Sequence, residues 1–78
     1  MTVKVYSTPT CAYCVTLKQY LKDNNIEFSD IDVSKDNAEL DKMIESSDQM
    51  GVPVIDIDGN VVVGFDKEKI NELLKIKD

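Results

Sequence analysis

Hydrophobic and polar positions change period several times along the chain, and each change marks a new element. Val3-Lys4-Val5-Tyr6-Ser7 alternates and is rich in β-branched residues, so it predicts a strand. Thr8-Pro9-Thr10 breaks that strand. From Ala12 to Asp23, Cys14, Leu17 and Leu21 recur at helical spacing and share one face. Val15 and Tyr20 fall to the sides of that face, and Lys18 and Lys22 are expected to point outward. Asp23-Asn24-Asn25 is a natural stop. Ile26 through Val33 alternates again and predicts a second strand. Ser34 or Asp36 can cap a second helix, and Asp36 with Glu39 has the spacing of a capping box. Leu40, Met43 and Ile44 supply its buried stripe, and Ser46-Ser47-Asp48-Gln49 ends it.

Met50-Gly51 leads into a strand over Val52-Pro53-Val54-Ile55-Asp56-Ile57. Asp58-Gly59-Asn60 turns the chain, and Asn60-Val61-Val62-Val63-Gly64 returns at once, which predicts an antiparallel hairpin. Asp66 can cap a last helix running to Ile76, with Ile70, Leu73 and Leu74 inward. The lysines of Lys75-Ile76-Lys77-Asp78 suit the negative end of that helix. The order is β-α-β-α-β-β-α, and a helix between the first two strands predicts a right-handed parallel crossover. One sheet with helices on both faces is the simplest way to bury all these stripes. The fold class is therefore α/β, a four-stranded mixed sheet flanked by three helices. Residues 1–78 read as a single domain, with no repeat, linker or low-complexity segment.

Composition narrows the function more than the fold. A chain of 78 residues buries only about 60–65% of the surface exposed when unfolded, so there is little material for a second site. Apolar residues at 42% and charged residues at 31% describe a globular chain. No apolar run approaches the length of a membrane span. Met1-Thr2-Val3 leads straight into strand sequence without a leader, so the expected location is cytoplasmic. Fifteen acidic residues face nine basic ones, a net charge of −6. All nine are lysines, so no arginine fork is present for phosphate. That balance excludes general nucleic-acid binding, and it accounts for solubility. Asp30, Asp32, Asp56 and Asp58 lack the loop spacing of a calcium site and read as solvated strand faces and turns.

Cys11 and Cys14 are the only sulfhydryls, and they fall where the first strand gives way to the first helix. A helix start offers unpaired N–H groups and the positive end of the macrodipole. Both stabilise a thiolate, the form of cysteine that attacks disulfides and binds metals. The chain has no histidine, which excludes a Cys-His nucleophile pair and a Cys₂His₂ zinc site. Activation of Cys11 must come from backbone dipoles, a lysine or the neighbouring thiol. For such a position a thiol pKa lowered from about 8.5 into roughly 3.5–7.5 is expected. Thiols so close in sequence read as a redox pair, since a disulfide between them constrains the unfolded chain little.

Three segments carry a resemblance: Thr8-Pro9-Thr10-Cys11-Ala12-Tyr13-Cys14, Gly51-Val52-Pro53-Val54 and Val63-Gly64-Phe65-Asp66. In this order, over essentially the whole chain, they resemble the glutaredoxins of the thioredoxin-fold superfamily, and above all the short glutaredoxin-like redoxins. The resemblance implies that Cys11 is the exposed nucleophile and Cys14 the resolving thiol. It implies a cis Val52–Pro53 bond that brings Val52 beside the cysteines, where its backbone can pair with a substrate's. Tyr13, Val52, Pro53, Gly64 and Asp66 then map onto the family's groove for glutathione or a substrate strand. The plainer alternatives are a covering aromatic at Tyr13, a trans edge proline at Pro53, a turn glycine at Gly64 and a helix cap at Asp66. Several positions depart from the glutathione pattern. Ala12 replaces the motif proline, Thr8 replaces a lysine, Gly51 replaces a threonine, and Phe65 replaces the second glycine of a pair. The last is closer to redoxins served by thioredoxin reductase.

The resemblance thus implies a thiol–disulfide oxidoreductase that reduces protein or glutathione-mixed disulfides. It would hold no cofactor and draw electrons from glutathione or a flavin-dependent reductase. Its partners would be disulfide-containing proteins and a reductase, with no nucleic acid and no membrane, and the chain would act as a monomer. Two other classes compete. A cluster or metal carrier would bridge a dimer through Cys11, because one chain offers only two thiolates. A non-enzymatic adaptor would have no use for both cysteines.

Overall fold

A computed structural model describes residues 2–76 of the chain. The elements follow the predicted order: β1 (Val3–Ser7), α1 (Ala12–Asp23), β2 (Ser29–Asp32), α2 (Asn37–Ser47), β3 (Val54–Ile57), β4 (Asn60–Val63) and α3 (Lys67–Leu74). The strands form one mixed sheet in the order β2-β1-β3-β4. β1 runs parallel to β2 and antiparallel to β3, and β3 runs antiparallel to β4.

Alternation in the strands sends side chains to two separate cores. Val5 pairs with Ile55, and Ile55 pairs with Val62. This row joins Leu17 and Leu21 of α1 and Ile70 and Leu74 of α3 in the larger cluster. The opposite face carries Tyr6, Val33 and Val54 with Met43 of α2, and Leu40 and Ile44 pack against them. Burial on the second face pushes the Tyr6 phenol above its ordinary pKa, helped by the nearby charges of Glu39 and Asp56.

The element ends differ from the sequence expectation in instructive places. β2 starts at Ser29 rather than at Ile26. Asn25 is left-handed, with φ 58°, and the Ile26 N–H bonds the Leu21 carbonyl at 2.9 Å. Ile26 therefore completes the end of α1, and it packs with Phe28 on the larger core. β3 starts at Val54 rather than Val52, because Pro53 has no N–H to give a ladder. α2 is capped by Asp36, whose Oδ1 accepts the Glu39 N–H at 3.1 Å. The return half of the expected box is absent, since Glu39 pairs with Lys42 at 3.3 Å instead. α3 ends at Leu74, short of Ile76: Lys75 is left-handed at φ 58° and the Ile76 N–H bonds the Asn71 carbonyl. That turn lets Ile76 fold back onto the core. Lys77 and Asp78, expected in the helix end, lie outside the described residues.

Two local features close the sheet. The β3–β4 turn holds Asp58 at φ 51° and Gly59 at φ 90°, the pair of positive φ values that a two-residue hairpin needs. Asp58 also accepts the Thr2 N–H at 2.6 Å and donates its own N–H to the Thr2 carbonyl at 2.8 Å, tying the start of β1 to the hairpin. At the other end of the sheet, Tyr6 lies opposite Val54. This register brings the turn that follows Ser7 alongside the segment that precedes Val54.

Candidate active site

The site grows out of that end of the sheet. After Ser7 the chain turns through Thr8-Pro9-Thr10, with the Cys11 N–H on the Thr8 carbonyl at 3.3 Å. Cys11 is the N-cap of α1, with an extended backbone at φ −89° and ψ 110°. Cysteine here takes the place that Ser, Thr, Asp or Asn usually holds. Its sulfur accepts the Cys14 N–H at 3.1 Å, as expected for a sulfur facing the free donors of a first helical turn. Such a bond favours the anion over the thiol.

Cys11 and Cys14 are joined as a disulfide, with Cα atoms 5.2 Å apart. Their exposure differs. Cys11 is half-buried at the rim, and Cys14 is fully buried among residues of the sheet-facing side of α1. Tyr13 lies between them in sequence and is 71% exposed, so its ring stands off the surface.

The opposite wall comes from the segment before β3. The Val52–Pro53 peptide is cis, Pro53 is buried and Val52 is partly exposed. The Gly64 N–H bonds the Pro53 carbonyl at 2.8 Å, which pins the end of β4 to this wall. Gly64 has φ 77°, a conformation that L side chains resist, and no atom lies within 4 Å of where its Cβ would sit. The glycine is therefore required by the backbone and not by crowding. Asp66 follows and caps α3, its Oδ1 accepting the Lys69 N–H at 3.2 Å. Sheet register and this Gly64 bond thus bring Cys11, Cys14, Val52, Pro53 and Gly64 to one end of the sheet. Asp66 follows Gly64 by two residues, at the N-cap of α3.

One expectation needs correcting. Lys18 does not point outward: its Nζ lies 3.2 Å from Asp30 Oδ2 and 3.5 Å from Ser7 Oγ. Ser7 is buried and donates to Asp30 Oδ1 at 3.0 Å. Lys18 follows Cys14 by one helical turn, so its face was readable from spacing alone. These groups line a hollow of about 270 Å³ together with Thr8, Pro9 and Asp32. The Ser34 hydroxyl beside Asp32 holds that carboxyl below its ordinary pKa. A larger groove of about 470 Å³ lies between α1 and α3, lined by Val15, Tyr20 and Phe65 among others. The sulfurs are not part of its lining.

From sequence alone Gln49 is only part of a helix end. Its side chain bonds both backbone groups of Gly51, two residues before Pro53. A glutamine two positions from a glycine, just ahead of Val-Pro, was the available signal.

Comparison with known proteins agrees with this geometry. The Glutaredoxin family model matches residues 3–62. An uncharacterized glutaredoxin-like 8.6 kDa protein in the rubredoxin operon of Clostridium pasteurianum is 51% identical over 73 residues, covering 94% of this chain and 97% of that protein. Glutaredoxin 1 of Rickettsia conorii is 36% identical over 81 residues, covering 96% of this chain and 79% of its own. Among solved structures, a variant of the thioredoxin-like protein BC3987 superposes with a TM-score of 0.92 at 39% identity, covering 97% of both chains. A cysteine pair opening the first helix, a cis-proline wall and this sheet order, found in a chain so matched, lead to one conclusion: the protein belongs to the glutaredoxin family.

Proposed function

We propose that the protein is a dithiol carrier that reduces disulfides, with Cys11 as nucleophile and Cys14 as resolving thiol. Family membership supports thiol–disulfide redox chemistry in general. The observation that carries the finer reading is the Cys11 sulfur at the N-cap of α1, accepting the Cys14 N–H and within bonding reach of the Cys14 sulfur.

The Cys11 thiolate attacks one sulfur of a substrate disulfide, forms a mixed disulfide and expels the other substrate sulfur as a thiolate. The Cys14 thiolate then attacks the Cys11 sulfur and expels the second substrate thiolate. Two electrons have passed to the substrate, and the protein is left with the Cys11–Cys14 bond. The buried position of Cys14 supports its acting second, since a substrate meets Cys11 first. Two glutathione thiols or a flavin-dependent reductase then return the protein to the dithiol form.

Tyr13, Val52, Pro53 and Gly64 line the groove in this reading, with the Val52 backbone pairing with the substrate's. Asp66 shapes the groove's far end through the capped start of α3. We take the substrates to be protein disulfides or glutathione-mixed disulfides, and the working unit to be a cytoplasmic monomer. Among the described residues no helix is long and apolar enough to cross a membrane. The test is covalent trapping. Cys14→Ser protein, reduced beforehand so that it can attack but not resolve, is expected to retain disulfide-linked partners from a cell extract whose protein disulfides are intact, and Cys11→Ser none. Equal recovery from the two variants would overturn the assignment of roles.

A further inference from the structure

The loop between α2 and β3 has its own hydrogen-bonded frame. α2 ends in the left-handed residue Asp48, at φ 57°. The Gly51 N–H then donates to Gln49 Oε1 at 2.6 Å, and Gln49 Nε2 donates to the Gly51 carbonyl at 2.9 Å. One side-chain amide thus exchanges both bonds with one residue, as a hydrogen-bonded partner does in an antiparallel ladder. The amide is held from behind: Gln49 Nε2 also reaches Ser47 Oγ at 3.3 Å, and that hydroxyl lies 2.6 Å from the Met43 carbonyl.

Gly51 and Gln49 require one another. A Cβ on Gly51 would lie 2.7 Å from Gln49 Oε1, so any side chain there displaces the amide. Two residues on, the Pro53 carbonyl is taken by Gly64, and Pro53 has no N–H. Among the described residues, no hydrogen-bond partner meets the N–H or carbonyl of Val52. Gly51 and Pro53, on either side of Val52, are therefore satisfied within the protein, and Val52 between them offers both backbone groups.

We propose that Gln49 is a positioning and specificity residue: its amide stands in for a neighbouring strand at Gly51 and so confines an extended peptide substrate to pairing with Val52. The inference rests on the reading of Val52 as the residue that pairs with substrate. A peptide on either side of a disulfide is held in one register, and a disulfide without a peptide backbone gains nothing from the device.

Single-turnover reactions of the dithiol protein with two substrates test this: a disulfide-linked unstructured peptide, and dithiobis-nitrobenzoate, an aryl disulfide with no backbone to pair. For Gln49→Ala the half-saturating peptide concentration is expected to rise about tenfold, while the limiting rate and the aryl reaction stay within about twofold. Gly51→Ala should reproduce this, and Gln49→Glu, which keeps the acceptor for the Gly51 N–H, should fall between. The unchanged aryl reaction also reports that the variants are folded at the cysteines. An unchanged peptide half-saturation in Gln49→Ala, or equal slowing of both substrates, would overturn the inference with the redox reading intact. Wild-type protein that reduces neither substrate would remove the redox reading and this inference together.

Discussion

Cys11 occupies a position where its side chain has two tasks. As N-cap it satisfies a first-turn amide that would otherwise need water, and as the proposed nucleophile it would leave that amide's field to attack. The Cys11 thiol is therefore expected to titrate below the ordinary cysteine value of about 8.5, read from thiolate absorbance, and Cys14→Ser should leave it low because the backbone donor remains. A Cys11 titration at the ordinary value would show that the amide contributes nothing. Gly64 makes a second residue-level prediction. With φ 77° and open space around it, Gly64→Ala meets strain and no clash. It should lower stability by about 1–2 kcal/mol, measured by urea denaturation, without change in fold. Tyr6 makes a third. Its phenol pKa is raised above 10.0, chiefly by burial. The folded state thus prefers the protonated phenol. That stability is intact below the unfolded value and is lost as pH rises through it and on through the folded one. Thermal stability should fall on the alkaline side of 10.0, and Tyr6→Phe should flatten the decline.

At the scale of elements, caps and turns carry the information that aligns the site. Asp66→Ala is expected to cost about 0.5–2 kcal/mol of stability, and Asp66→Asn only a small part of that, since asparagine caps as well as aspartate does. Denaturation midpoints for the two variants separate the capping role from any contact of the carboxylate with substrate. An Asp66→Asn protein that keeps its stability but binds peptide disulfides less well would give Asp66 a direct place in the groove. Much of this scale was legible in the sequence. The α1 face, the Asp36 and Asp66 caps and the Asp58-Gly59 turn each follow from one or two residues of fixed chemistry. The misplaced ends share a cause. Ile26, Val52 and Ile76 are apolar, so hydrophobic pattern alone assigns them to regular elements. Each is buried or half-buried just outside one, at a left-handed turn or beside a proline. Periodicity cannot separate an apolar residue in a ladder from one that folds back on the core. Lys18 differs for another reason: charge alone predicts solvent, whereas its stem follows Cys14 on the helix and its ammonium ends on Asp30. That pair is partly exposed on both sides, so its removal should change stability by less than about 1 kcal/mol.

For the whole molecule, the two cores on opposite faces of the sheet are small, and each depends on one or two helices. Leu17→Ala, at a fully buried position of the larger core, should cost about 2–5 kcal/mol. That is a large share of the stability of a domain this size. The net charge of −6 and the residues at Thr8 and Phe65 bear on the electron donor. Turnover with a flavin-dependent reductase is expected to be at least comparable to turnover with glutathione, measured by reduction of a common disulfide. Strong glutathione-coupled activity with none from the reductase would reverse that preference. Donor choice was the least legible property of the sequence. It depends on a partner's surface, and one chain read alone does not contain its partner.

The pairing of β1 with β3 has a consequence for the order in which the protein becomes useful. The sulfurs belong to the first fifth of the chain, and Pro53 and Gly64, at the same end of the sheet, belong to the last third. During synthesis the cysteine pair leaves the ribosome before the segment that, on the proposed reading, would choose its targets. A nascent chain paused after β2 would carry thiols open to any oxidant, and selectivity would arrive only when the hairpin docks. On the proposed reading, discrimination would thus be acquired late and by assembly.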